Sequence, residues 1–341
     1  MSEESFSCYS GTSVWKYSVG TGYVCLFFVF IFPQIFVLLT TMQKNLMVQP
    51  SYKIMFITCL VDIVQLVNTL GLPGWISRFA VSYCPTDPWM KFCGHLNMFL
   101  AFVYTMLRTT LSINRIFQLG KPKICDFLFE GSKTWIWMAW CFLFGFILCI
   151  AAVNSEPLYF YDADAGVWKF VWIQNNMLNV SHFVNNIYSL VMVTITEPLI
   201  IVQLRRNDTK SKSPAYKTQK RIAIQTIIVN VIFDVSHIFY LLVSYTELKN
   251  VSFIGVIGEV LWATIHGWDQ PSDDVDITHL GLNGYFYLLL NRAVQEKLRS
   301  VFRFSWCRKK NQVFTRSLKA GSLKTKDEKL ETQDTTNATS K

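Results

Sequence analysis

Residues 92–120 read "FCGHLNMFLAFVYTMLRTTLSINRIFQLG", Phe92 to Gly120. The run is longer than the roughly 20 apolar residues a helix needs to cross a bilayer, yet it carries Arg108 near its middle and Asn114-Arg115 near its end. No acid stands within ten positions of Arg108. An arginine alone in hydrocarbon costs about 3 kcal/mol or more, so the run reads as a spanning helix with one face turned towards other protein. Positions 108 and 115 are close to two turns apart, which puts both arginines on that face.

The rest of the chain repeats the pattern. Apolar windows lie at 19–41, 53–76, 134–153, 181–204 and 221–245, and a seventh starts at 253 and is interrupted after about 15 residues. The charged fraction, 16%, is well below the quarter expected of a soluble domain, and the mean hydropathy is +0.28. The fold class is therefore an all-α membrane protein, a seven-transmembrane helix bundle. Its expected parts are an extracellular N-terminus at 1–18, a bundle over 19–308 with a polar insertion at 268–283, and a disordered cytoplasmic tail at 309–341 rich in Ser, Thr, Lys and Glu.

Orientation follows from the basic residues, which accumulate on the cytoplasmic side. Of 32 Lys and Arg, 26 fall in the first, third and fifth gaps and from residue 292 on. The N-terminus and the other gaps hold Lys16, Arg78, Lys91, Lys169 and Lys249. The N-terminus is then outside and the tail inside, and the net charge of +9 needs no nucleic acid to explain it. The start, with two acids and no basic segment, does not read as a cleaved signal peptide. Sequons at Asn179 and Asn250 fall outside and are candidate glycosylation sites, whereas those at Asn207 and Asn337 fall inside. Cys8, Cys84 and Cys93 lie on the outer, oxidising side, with their pairing open. Cys307, in "RFSWCRKK", sits where a juxtamembrane palmitate fits.

Charged groups at membrane depth are functional hypotheses. Here they are Asp62, Arg108, Glu197, Asp234 and Glu259. Counting about 1.5 Å per residue from the inner ends places Arg108 and Glu197 about 10 Å deep and Asp62 about 14 Å deep. Asp62 or Glu197 is thus the expected partner of Arg108, as a structural ion pair or as a switch. Arg115 reads equally as a snorkelling anchor. Asn230, Asp234 and His237 form a polar stripe on the sixth span, and His95, Glu259 and Trp262 are candidates to face a ligand from the outer level. There is no HExxH, GxSxG, GxxxxGK[ST] or CxxC motif and no ligand spacing among the five histidines, so no enzyme, metal site or cofactor is expected.

Seven spans, "NR" at the inner end of the third and an amphipathic segment after the seventh resemble the G-protein-coupled receptors. The rhodopsin-like majority carries Asp-Arg-Tyr and Asn-Pro-x-x-Tyr where this chain has Asn114-Arg115-Ile116 and Asn283-Gly284-Tyr285-Phe286-Tyr287. The stretches "SYKIMFITCLVDIVQLVNTLGLPGW", "SYCPTDP", "LSINRIFQL", "AIQTIIVNVI", "IGEVLWATIHG" and "FYLLLNRAVQEKLR", between Tyr52 and Arg299, are similar to the nematode serpentine chemoreceptors, closest to serpentine receptor class T.

The resemblance implies a chemosensory receptor in the plasma membrane of sensory neurons. It would bind a small external molecule and signal through a heterotrimeric G protein at Asn114 and Arg115. Asp62 and Tyr287 would join Arg108 and Glu197 as intramembrane switch residues. Two departures stand out. The second outer gap, 154–180, lacks the cysteine that usually bridges to the third span, and "WDQPSDDVDITHLGLN", Trp268 to Asn283, puts four acids inside the seventh span. That segment is either a break built into the seventh helix or sequence foreign to the mature message. The rival reading is a transporter or channel that uses the intramembrane acids as a relay.

Overall fold

The computed structural model describes residues 8–11, 13–42, 46–150, 159–170, 177–208, 214–245 and 252–266. The insertion at 268–283, the tail, Asn250, Tyr287 and Cys307 lie outside these residues. Within them, the helices follow the apolar windows. α1 (Val14–Thr41) opens on Ser13, whose hydroxyl accepts the Lys16 N–H at 3.1 Å. It therefore begins five residues before its apolar window and takes Val14 to Ser18 out of the expected N-terminal segment. α2 (Pro50–Leu66), α4 (Pro88–Gly120), α5 (Pro122–Phe129) and α8 (Pro214–Tyr245) each start on a proline, which gives up only an N–H that a first turn leaves unpaired.

The second span changes pitch midway. After α2 comes a π-helical turn, Val67–Gly71, and then α3 (Leu72–Phe79). Pro73 lacks an N–H, and its ring clashes with a carbonyl placed four residues back; the wider turn accommodates both. The helix stops at Ala80, which takes the left-handed conformation with φ 51°.

α4 is the central column: 72% of its apolar window is buried, against 28% in α6 (Lys133–Ile150). It packs on α2, α6, α7 (Met177–Asp208) and α8, while α9 (Ser252–His266) packs on α8, α2 and α1 and brings the ring round. α9 is about 22 Å long, shorter than a bilayer core. Between α6 and α7 the chain forms a two-stranded antiparallel hairpin, β1 (Tyr159–Asp162) and β2 (Val167–Phe170). Asn179, expected in a gap, lies in the first turn of α7.

Candidate functional site

The outer mouth of the bundle is covered by the hairpin. Its turn forms because Asp162 Oδ1 accepts the N–H groups of Asp164 and Ala165 at 2.9 and 3.0 Å and Gly166 takes φ +75°, a conformation that disfavours a side chain. Tyr23 of α1 donates to the Gly166 carbonyl at 2.7 Å, and Ser77 of α3 meets the Tyr161 hydroxyl at 2.7 Å. Tyr83 donates to the Tyr161 carbonyl and accepts the Ala163 N–H at 3.2 Å. Gly94 of α4 lies so close to the Tyr159 carbonyl that a Cβ would overlap it.

A disulfide joins Cys8 to Cys84, Tyr9 pairs with Tyr83 as an isolated bridge, and the two rings stack at 5.2 Å. The N-terminal segment thus braces the loop that holds the hairpin, and Cys93 is the thiol left free from the outer trio. Closing a loop of this length is worth about 4 kcal/mol in the chain-entropy account.

Below the hairpin lies a cavity of about 30 Å³, room for a water or two. Gln65 lines it from just before the π-helical turn, with Asn97, Met98 and Ala101 from α4. His182 and Asn186 reach it from α7, His237 from α8, Glu259 and Trp262 from α9, and Tyr159 from the hairpin. Glu259, 5% exposed, accepts the Trp168 N–H of β2 at 3.1 Å, so one carboxylate touches both cavity and lid. His237 packs on Phe233 at 4.0 Å and edge-on to Trp262 at 5.7 Å.

Of the three residues expected to face a ligand, Glu259 and Trp262 line this cavity and His95 does not. His95 lies about a third of a turn round α4 from the mean direction of Asn97, Met98 and Ala101. There its Nδ1 meets the Lys91 carbonyl at 2.7 Å and its own carbonyl faces Cys149 of α6.

Deeper in the bundle, Arg108 donates to Asn230 Oδ1 at 2.5 Å, and Asn230 Nδ2 reaches Glu197 Oε1 at 2.6 Å and Ser112 Oγ at 3.0 Å. The guanidinium also lies 3.6 Å from the Phe233 ring centre. Arginine and acid share a level, as depth counting implied, and an asparagine bridges them. That bridge was invisible in sequence because it depends on how α8 is rotated about its axis. Asp62 is wholly buried on α2.

At the cytoplasmic end, Asn114 and Arg115 are both 1% exposed. Asn114 accepts from Ser51 at 3.0 Å and donates to Cys125 Sγ at 3.4 Å, while Arg115 donates to Gln118 at 2.7 Å. Short α5 closes this floor: Cys125 and Phe129 turn inwards, and Phe129 stacks on Trp137 at 5.7 Å. Burial pushes the Cys125 thiol up to about 11, with neighbouring Asp126 adding to the shift. Lys53 reaches the Gly131 carbonyl at 2.5 Å, and Asn207 the Leu119 carbonyl at 2.7 Å. Among the described residues no three His, Cys, Asp or Glu side chains gather as a metal site.

This architecture has relatives. Squid rhodopsin superposes with a TM-score of 0.62 over 85% of this chain and 86% of its own, at 13% identity, a likeness of fold. Serpentine receptor class T-55 of Caenorhabditis elegans is 24% identical over 277 residues, 77% of this chain and 68% of that protein. The sequence model of the family described as "Serpentine type 7TM GPCR chemoreceptor Srt" matches residues 4–311, wider than the Tyr52–Arg299 resemblance and running across the 268–283 segment. With all the described spans and nearly the whole chain inside that match, the protein belongs to the Srt family of serpentine seven-transmembrane chemoreceptors, a receptor family of the G-protein-coupled type and not an enzyme class.

Proposed function

We propose that this chain is a chemosensory receptor of the plasma membrane of sensory neurons, which binds a small external molecule beneath the hairpin and signals to a heterotrimeric G protein through the face around Asn114 and Arg115. One observation supports this most: buried polar side chains line α4 from the cavity to the cytoplasmic floor. Asn97 stands in the cavity, Thr105 accepts from Asn185 at 3.3 Å, Arg108 and Ser112 meet Asn230, and Asn114 meets Ser51 and Cys125. A ligand that favours one rotation of the outer helices has, in that column, a set of contacts to bias.

In this reading Asp62, Arg108, Glu197 and Tyr287 are the intramembrane switch, and Asn114 and Arg115 pack against the G protein once the floor opens. Glycans on Asn179 and Asn250 and a palmitate on Cys307 complete the proposed topology. The test is expression in cultured cells with a panel of G proteins and a second-messenger reporter. A chemical response lost in Arg115→Gln at unchanged surface level supports the reading. Saturable uptake of a labelled solute, lost on changing Asp234, replaces it with the transporter.

A further inference from the structure

The cavity's polar atoms are unequally matched. Asn97, 2% exposed, has neither amide atom hydrogen-bonded among the described residues, and Gln65, 1% exposed, has its side-chain oxygen unmatched. His237 Nδ1 lies 3.1 Å from the Phe233 carbonyl, which can only accept, so Nδ1 carries the proton and Nε2 is an acceptor. Glu259 adds a carboxyl group, and neither ion pair among the described residues, Lys16–Asp164 or Lys169–Asp162, involves it. Among the fully buried atoms of the lining, the donor without a hydrogen bond is the Asn97 amide N–H₂.

Buried acceptors without donors are costly, and a buried carboxylate without a cation more so. Among the described residues no lysine or arginine lines the cavity. A primary ammonium group brings three donors, no acceptor and one positive charge. The rings of Tyr159 and Trp262 offer further faces to a cation, and Met98 and Ala101 supply apolar wall for a short carbon chain. We infer that the cavity takes a small primary amine, with Glu259 as counter-ion and Gln65 and Asn97 as hydrogen-bond acceptors. This rests on the receptor reading only for its site. The same carboxylate holds the Trp168 N–H, so the amine also sits where the hairpin is fastened.

The experiment is binding to the purified full chain in lipid nanodiscs at neutral pH, read by thermal unfolding. The probes are methylamine, whose two heavy atoms match a cavity of about 30 Å³, and ethylamine as the upper size, each against the alcohol and the carboxylate of the same carbon skeleton. Amines are expected to stabilise the protein selectively, with Glu259→Gln weakening the effect about thirtyfold or more. Alcohols or carboxylates stabilising as well as amines, or an amine effect untouched by Glu259→Gln, overturns the assignment. Should Glu259→Gln fail to fold, Asn97→Leu is read instead: weakened amine binding supports the assignment, and unchanged binding overturns it. Amine binding without any second-messenger signal across the G-protein panel keeps the amine site and removes the receptor reading.

Discussion

The two ends of the bundle are closed by different chemistry. The outer end is shut by a covalent bond, a hairpin and the hydroxyls of Tyr23, Tyr83 and Tyr161, of which Tyr23 alone belongs to a span, and beneath them polar atoms of Gln65 and Asn97 have no hydrogen bond. The inner end is shut by side chains of the spans themselves and by α5, with both ends of the Asn114 amide engaged. The outer end is therefore a rigid cover over a space with unmatched amide groups, and the inner end a set of weak side-chain contacts. A ligand has most to add at the first and a partner most to displace at the second.

The largest effect that tests this contrast is loss of the outer brace. Cys84→Ser is expected to lower stability by about 4 kcal/mol and to expose the hairpin to limited proteolysis, with the Cys125 thiol still shielded. If Cys125 becomes reactive at the same time, the two ends are one cooperative unit and the contrast fails. Next comes Gly94→Val. Its side chain meets the Tyr159 carbonyl, so it should lift β1 at a cost of about 1–3 kcal/mol and weaken any ligand response without loss of surface expression.

Smaller still is Ser51→Ala. It removes a neutral hydrogen bond to Asn114, worth about 1 kcal/mol, and should raise ligand-free second-messenger output several-fold if that bond helps hold the floor shut. A last test concerns pH. The Cys125 thiol, neutral in the folded state to about 11 against an ordinary 9.0, contributes stability that is complete below pH 9 and is lost as pH rises towards 11. Maleimide labelling at pH 7.5 should therefore be slow in the resting protein and accelerate when an agonist opens the floor.

Hydropathy and charge asymmetry made the helices legible because each is a property of one segment at a time. They placed the seven helical segments and put Arg108 level with Glu197. What they missed needs two segments at once. His95 and Asn97 are both polar residues on the outer third of α4, and only the rotation of that helix against α6 and α7 sends one to Cys149 and the other into the cavity. Asn230 is one member of a polar stripe with Asp234 and His237 until the rotation of α8 sets it between an arginine and an acid. The hairpin was hidden in a gap without the expected cysteine, and its covalent support came instead from Cys8. His182 and Asn186, one turn apart on α7, were a signal available in sequence, since that spacing puts both on the same helical face.

The bond between Cys8 and Cys84 also sets an order of events during synthesis. Residue 8 precedes the first span and residue 84 follows the second, so the two can meet only after the intervening pair of helices has entered the bilayer and returned the chain to the side where it began. Thiols pair where the compartment is oxidising, which for a nascent membrane chain is the lumen. The bridge thus sets residues 8 and 84 on the same, oxidising side of the membrane, and once made it prevents the first two spans from being withdrawn separately.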